Sequence, residues 1–221
     1  MPHGETVEPA LFVRQQQRVI QDFCERLDGN LPSYSYVPLA TDEQRVLVMQ
    51  SRLYNEIRAA EVFGAWLAST PDLEIKRHLA DASHEEMQHA DLLRQRIEGM
   101  GTNPFDYGPP PEQVALFHTM QNLESISERL AAFQLAGEAV AAHLIRRALA
   151  AASVPEWIKA PYRRIIEDEA EHGSEPARML ARYAETAERQ RLVRRGVSLG
   201  LSLRQRYFDA LDQMVFAGVR W

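Results

Sequence analysis

Glu56 is followed thirty residues later by Glu86 and His89, and the same order returns as Glu138, then Glu169 and His172 thirty-one residues on. The flanks of the first glutamates also agree, with Ala59, Ala60, Leu67 and Ala68 in one copy and Ala141, Ala142, Leu149 and Ala150 in the other. On an α-helix, residues three apart differ by about 60° around the axis and one turn along it, so a Glu-x-x-His pair addresses one point in space. Glu86 with His89 can hold one metal ion, Glu169 with His172 a second, and Glu56 and Glu138 each add a carboxylate. Four carboxylates carry about −4 and two divalent ions about +4, so a filled dinuclear site is close to neutral in a low-dielectric interior. Without metal the carboxylates repel one another, and some are driven to protonate.

The repetition is what gives the pattern weight. With 7 histidines in the chain, about 0.7 Glu-x-x-His matches are expected by chance, so one copy alone carries little. An acid precedes each paired glutamate, Glu85 before Glu86 and Asp168 before Glu169; across facing helices these would accept the far-nitrogen protons of His172 and His89. Glu61 and Glu128 fall on other faces and are expected in solvated salt bridges. His78, His84, His118 and His143 lack such partners and are expected at the surface or at helix caps. Tyr54 and Tyr162 lie near the candidate ligands and are expected as ordinary core tyrosines.

The elements that must position these groups are helices. Gly and Pro cluster between long stretches that lack period-two alternation, which predicts an all-α protein. A leading helix is expected over 8–27, ended by Gly29 and the loop from Pro32 to Pro38. Thr41 and Gln44 form a capping-box signature for a helix over 42–69, in which Val46, Met49, Leu53, Glu56, Ala60, Phe63 and Leu67 make one stripe. A glutamate in that stripe needs a reason to be buried. Thr70 and Pro71 read as the cap and first position of the next helix, with Ile75, Leu79, Ala82, Glu86, His89 or Ala90, Leu93 and Ile97 inward and Gly101 closing it. A short helix near 112–121 precedes a third long helix with Ala131, Leu135, Glu138, Ala142, Ile145 and Leu149 in its stripe. Ser153 and Glu156 signal another capping box, with Pro155 in the first turn of a helix carrying Ile158, Tyr162, Ile165, Glu169 and His172. Pro176 is expected either to kink that helix beside the site or to end it. A last helix over 187–219 contains Gly196 and Gly200. The four ligand-bearing helices predict an antiparallel bundle over about 42–185, flanked by the first and last helices, in a single domain of residues 1–221.

Composition narrows the function classes. A chain of 221 residues with 45% hydrophobic content can bury a sizeable core. The net charge of −6 offers no basic excess for a nucleic-acid backbone, and no apolar run approaches the ~20 residues that span a bilayer. The start, MPHGETVEP, lacks the features of a secretory signal, so a cytoplasmic location is expected. Cys24 stands alone, which excludes an internal disulfide and any Cys-x-x-Cys metal site. Arg189, Arg191, Arg194, Arg195, Arg204 and Arg206 form a basic series, expected as a solvated helix face rather than a dock for an acidic redox partner.

The order Glu56, Glu86-x-x-His89, Glu138, Glu169-x-x-His172 resembles the ferritin-like di-iron carboxylate superfamily. NEIRAAEVFGAWL with EEMQHAD is similar to bacterioferritin-type helices, and EDEAEHG to the second half-site of several oxygenases. The resemblance covers about residues 42–185 and implies a ferritin-like four-helix bundle. It also implies the six residues as ligands of two iron ions, with Mn/Fe or Mn/Mn as variants, and Glu86 with Glu169 or Glu138 bridging. The chain departs from classical rubrerythrins, which carry Cys-x-x-Cys knuckles, and is shorter than ribonucleotide reductase small subunits. Its size resembles the small di-iron oxygenases. The expected function is therefore an oxygenase or oxidase that activates O2 to oxidise a small organic substrate, with electrons from a separate reductase or ferredoxin, and with a homodimer allowed. The competing expectation is a ferroxidase, iron-storage or peroxide-detoxifying protein. A long tunnel beside the site would point to a lipid-like substrate, and a small polar chamber to an amino-acid-like one.

Overall fold

The computed structural model describes residues 6–172 and 175–220, the side chains of 169–172 excepted. Among the described residues all regular structure is helical: α1 (Pro9–Asp28), α2 (Asp42–Ser69), α3 (Leu73–Glu98), α4 (Pro111–Gln121), α5 (Ile126–Arg129), a π-helix (Leu130–Glu138), α6 (Ala139–Ala150), α7 (Glu156–His172), α8 (Glu175–Arg182) and α9 (Ala187–Ala217). A 3-10 turn at Ser33–Ser35 joins α1 to α2. None of the described helices is long and apolar enough to cross a membrane.

α2 begins as its sequence dictates. The Thr41 hydroxyl accepts from the Gln44 amide, and the Gln44 side chain accepts in return from the Thr41 amide, satisfying two donors the first turn leaves unpaired. α3 starts later than the sequence suggests. Asp72, not Thr70, is its cap, its carboxylate accepting from the Glu74 and Ile75 amides. Thr70 instead terminates α2, its hydroxyl donating to the Trp66 carbonyl. The carboxylate wins because it reaches two amides and adds charge at the positive end of the helix. At the far end the cap is Gly99 rather than Gly101.

The Ser153–Glu156 capping box is not part of the start of α7. The Pro155 carbonyl takes the amides of Ile158 and Lys159, and the Glu156 carboxylate pairs with Arg163. Pro161, inside α7, has no N–H for the Trp157 carbonyl, and Arg96 of α3 donates to that carbonyl at 2.9 Å. The proline therefore ties α7 to α3, the two helices whose acids and imidazole meet at the site. Pro176 falls in the first turn of α8; residues 173–174, where the expected kink or boundary would lie, are outside the described residues.

α2 and α3 form a helical hairpin and make the most extensive helix contact of the fold; the next is α9 on the π-helix. The helix expected over 187–219 at the flank of the bundle thus packs on the π-helix. Val193, Val197, Tyr207, Phe208 and Leu211 of α9 are buried. Gly196 and Gly200 allow the approach: a Cβ on Gly200 would lie 2.5 Å from the Ala132 carbonyl oxygen, and one on Gly196 3.0 Å from Ala131 Cβ. The third long helix also differs from expectation, because its middle is π-helical. One additional residue per turn leaves carbonyls without regular partners, and Arg204 of α9 donates to one of them, Ala132, at 3.2 Å. Arg204 is 9% exposed, so it does not belong to the solvated basic face the sequence suggested.

The aromatic core locks these parts together. Phe63 and Trp66 of α2 meet Phe133 of the π-helix edge-on at 5.0 and 6.0 Å, and Phe117 of α4 joins at 6.2 Å from Phe133. Cys24 is buried in the core of α1, and burial pushes its thiol up to about 11, so it is not a reactive group at neutral pH.

Candidate metal centre

Glu56 sits one turn beyond Arg52 on α2, while Glu86 and His89 share the inward stripe of α3. Among the described residues these three each offer a ligand atom, and the atoms lie within 4.8 Å of one another. Glu86 is 7% and His89 2% exposed. His89 Nδ1 stands 3.8 Å from Glu86 Oε2 and 3.9 Å from Glu56 Oε2, while Nε2 faces Asp168 Oδ2 at 3.7 Å. All three separations exceed hydrogen-bond reach, and both ring nitrogens are buried without a hydrogen-bond partner. An unmatched buried nitrogen costs about 1–3 kcal/mol, and coordination of a cation by Nδ1 removes that cost. The donor set of carboxylate oxygen and imidazole nitrogen suits iron or manganese. These residues fit the implied metal.

Electrostatics agree with that fit. Burial and the neighbouring Glu86 carboxyl, to which Glu56 is hydrogen-bonded, push the Glu56 carboxyl well above its ordinary range, with His89 and Arg52 opposing. Arg52 is fully buried below the site, its guanidinium 3.7 Å from the Tyr34 ring centroid and hydrogen-bonded to the Tyr34 carbonyl. Tyr162 also belongs to this box, bonded to Tyr36 through the phenol oxygens at 2.7 Å. Tyr54 is half-buried between Tyr107 and Phe117.

Glu138 closes the π-helix and lines two cavities. The larger, about 370 Å³, also includes Glu85, Glu86, His89 and His78. The smaller, about 70 Å³, includes Glu56, Glu86, Arg204 and Tyr207. Glu86 and Glu138 therefore stand in the walls of both. Glu169 and His172, the remaining expected ligands, have side chains outside the described residues. Asp168 faces His89 from α7 and is also bound by Arg164 at 2.9 Å, while Glu85 lines the larger cavity.

Sequence reasoning missed three residues here. His78, expected at the surface, lies in the cavity wall, its Nδ1 3.4 Å from Glu175 Oε2. Gln134 and Arg204 also face the site. Residue 78 lies eight before Glu86 on one helix, a signal that was available; Gln134 and Arg204 depend on the π-helix and on α9. Of the other residues, Glu61 is exposed and paired with Arg58 as expected, whereas Glu128 is buried and paired with Arg195 at 2.5 Å. His143 pairs with Asp28 at 2.9 Å, and His84 contacts Gln88 on the exposed face of α3.

No family model and no curated protein matches the chain. Among solved structures it is similar to a domain of unknown function with a heme oxygenase-like fold from Shewanella denitrificans OS217. The TM-score is 0.75 at 17% identity, over 94% of this chain and 97% of that one. The likeness establishes the fold: all-helical and heme oxygenase-like.

Proposed function

We propose that the protein is a non-haem di-iron oxygenase or oxidase, built on a ferritin-like arrangement of α2, α3, the π-helix with α6, and α7. The observation that carries the reading is the cluster of half-buried Glu56 with buried Glu86 and His89, whose imidazole nitrogens have no hydrogen-bond partner. Glu86, His89 and Glu56 would hold one ion; Glu138, Glu169 and His172 would supply the second half-site expected from the sequence repeat. When bound, a pair of iron ions supplies the redox chemistry that reduces O2, with electrons from an external reductase or ferredoxin.

The chain's own residues do the rest. Asp168 orients His89 from its far nitrogen, the role such carboxylates have beside metal-bound imidazoles. Burial and Glu86 favour a proton on Glu56 in the metal-free protein, and a cation in its place favours the carboxylate. Phe63, Leu135 and Ile20 form the apolar part of the larger cavity and limit water beside the carboxylates. Anaerobic titration with ferrous ion tests the reading: about two ions per chain should bind, followed by O2 consumption on aeration, with both lost in Glu86→Gln. Iron uptake of hundreds of ions per particle would favour storage instead, and no uptake would end both readings.

A further inference from the structure

The larger cavity is charged unevenly. Beyond the metal-facing Glu86, His89 and Glu138, its wall carries, among the described residues, Asp81, Glu85 and Glu175 against one arginine, Arg146. Asp81 and Arg146 are exposed at the rim, and Glu175 is shared with Arg178 at 3.2 Å. Inside, Gln134 is 3% exposed and its Oε1 has no hydrogen-bond partner. Its Nε2 contacts His78 Nε2, and His78 Nδ1 faces Glu175. With the imidazole proton on Nδ1, toward the Glu175 carboxylate, Nε2 is the acceptor. Gln134 must then give an N–H to His78, and its carbonyl oxygen is the atom left unmatched. A buried amide oxygen without a donor is costly, and a ligand that brings one recovers that cost.

We propose that this cavity takes a small substrate bearing a primary ammonium group, which donates to Gln134 Oε1 within the acidic wall, and that Arg146 at the rim receives a carboxylate at the substrate's other end. The inference rests on the oxidase reading and names its substrate class. Ile20, Phe63 and Leu135 suit a short alkyl chain between the two charges, and the volume lies at the small end of the ~300–1,000 Å³ usual for ligand sites. A fatty acid could pair its anion with Arg146 but would offer Gln134 no donor and leave the acidic wall without a cation.

The test uses the full-length protein reconstituted anaerobically with Mn(II) at pH 7, with metal content measured in every sample. Calorimetric titrations compare pentylamine, pentanoate and 5-aminopentanoate. Pentylamine should bind about tenfold more tightly than pentanoate, and 5-aminopentanoate more tightly still. Gln134→Leu should lose about tenfold for pentylamine at unchanged metal content, whereas Gln134→Glu, which keeps an acceptor, should retain binding. Arg146→Ala, at an exposed position, should remove only the advantage of 5-aminopentanoate over pentylamine. Pentanoate binding as well as pentylamine, or Gln134→Leu leaving affinity unchanged in protein that keeps its metal, would overturn the proposal. A sample that retains no metal ends the oxidase reading. Gln134-dependent pentylamine binding in that sample would still uphold the amine site, and its absence would overturn it.

Discussion

Glu56 and Glu86 define the residue scale, because a half-buried and a buried carboxyl side by side repel each other when both ionise. The folded protein raises the Glu56 carboxyl well above its ordinary value of 4.5, so the fold favours the protonated form. Its contribution to stability is full below 4.5 and is lost as pH rises through the folded-state value. The chelator-treated protein should therefore melt at a lower temperature as pH is raised from about 5 towards neutrality, and Glu56→Gln should flatten that slope. A melting temperature that rises over the same range would contradict the account. Asp168 acts differently, through the orientation of His89: Asp168→Ala should weaken metal binding by about 10–100-fold, measured by competition with a chromogenic chelator. Glu56, Glu86 and His89 were legible in the sequence because ionisable residues in an apolar stripe at helical spacing stand out. Gln134 was not, since an amide on a helix looks the same whether it faces water or a cavity, whereas His78, eight residues before Glu86 on one helix, left a readable signal.

Helices, at the next scale, are tested by the places where local sequence and packing disagree. Asp72, which displaced Thr70 as the cap of α3, should cost about 1 kcal/mol when changed to Ala, read as a shift of the denaturation midpoint. Gly200→Ala should cost more, about 1–3 kcal/mol, because the new methyl would meet backbone 2.5 Å away at Ala132, where no side chain can give way. The bounds of α1, α2 and α4 followed from caps, glycines and prolines, which act within a few residues. The π-helix at Leu130–Glu138 did not, because its stripe of Ala131, Leu135 and Glu138 also fits a regular α-helix. What sustains it lies elsewhere in the chain: Arg204 bonded to the Ala132 carbonyl, and two glycines that bring α9 close. The same distance in sequence concealed the inward turn of Arg204 and the place of α9 in the core.

For the whole molecule, an all-helical scaffold gathers a paired carboxyl–imidazole cluster, a buried arginine below it and a mostly acidic chamber above it. Metal should then be part of the folded state. Removing it with a chelator should lower the melting temperature, and restoring Mn(II) at 100 times its dissociation constant should recover about 2.7 kcal/mol per site. The all-α class was legible from periodicity alone, whereas the heme oxygenase-like packing was not, because it is set by which faces α9 and the π-helix share. The most direct measurement is metal analysis with X-ray absorption on protein reconstituted anaerobically with ferrous ion, beside Glu86→Gln and His89→Ala. The account predicts about two irons per chain with a mixed oxygen and nitrogen shell in the native sequence, and loss of iron in both variants. Iron-free native protein, or variants that keep the same iron in the same shell, would contradict it.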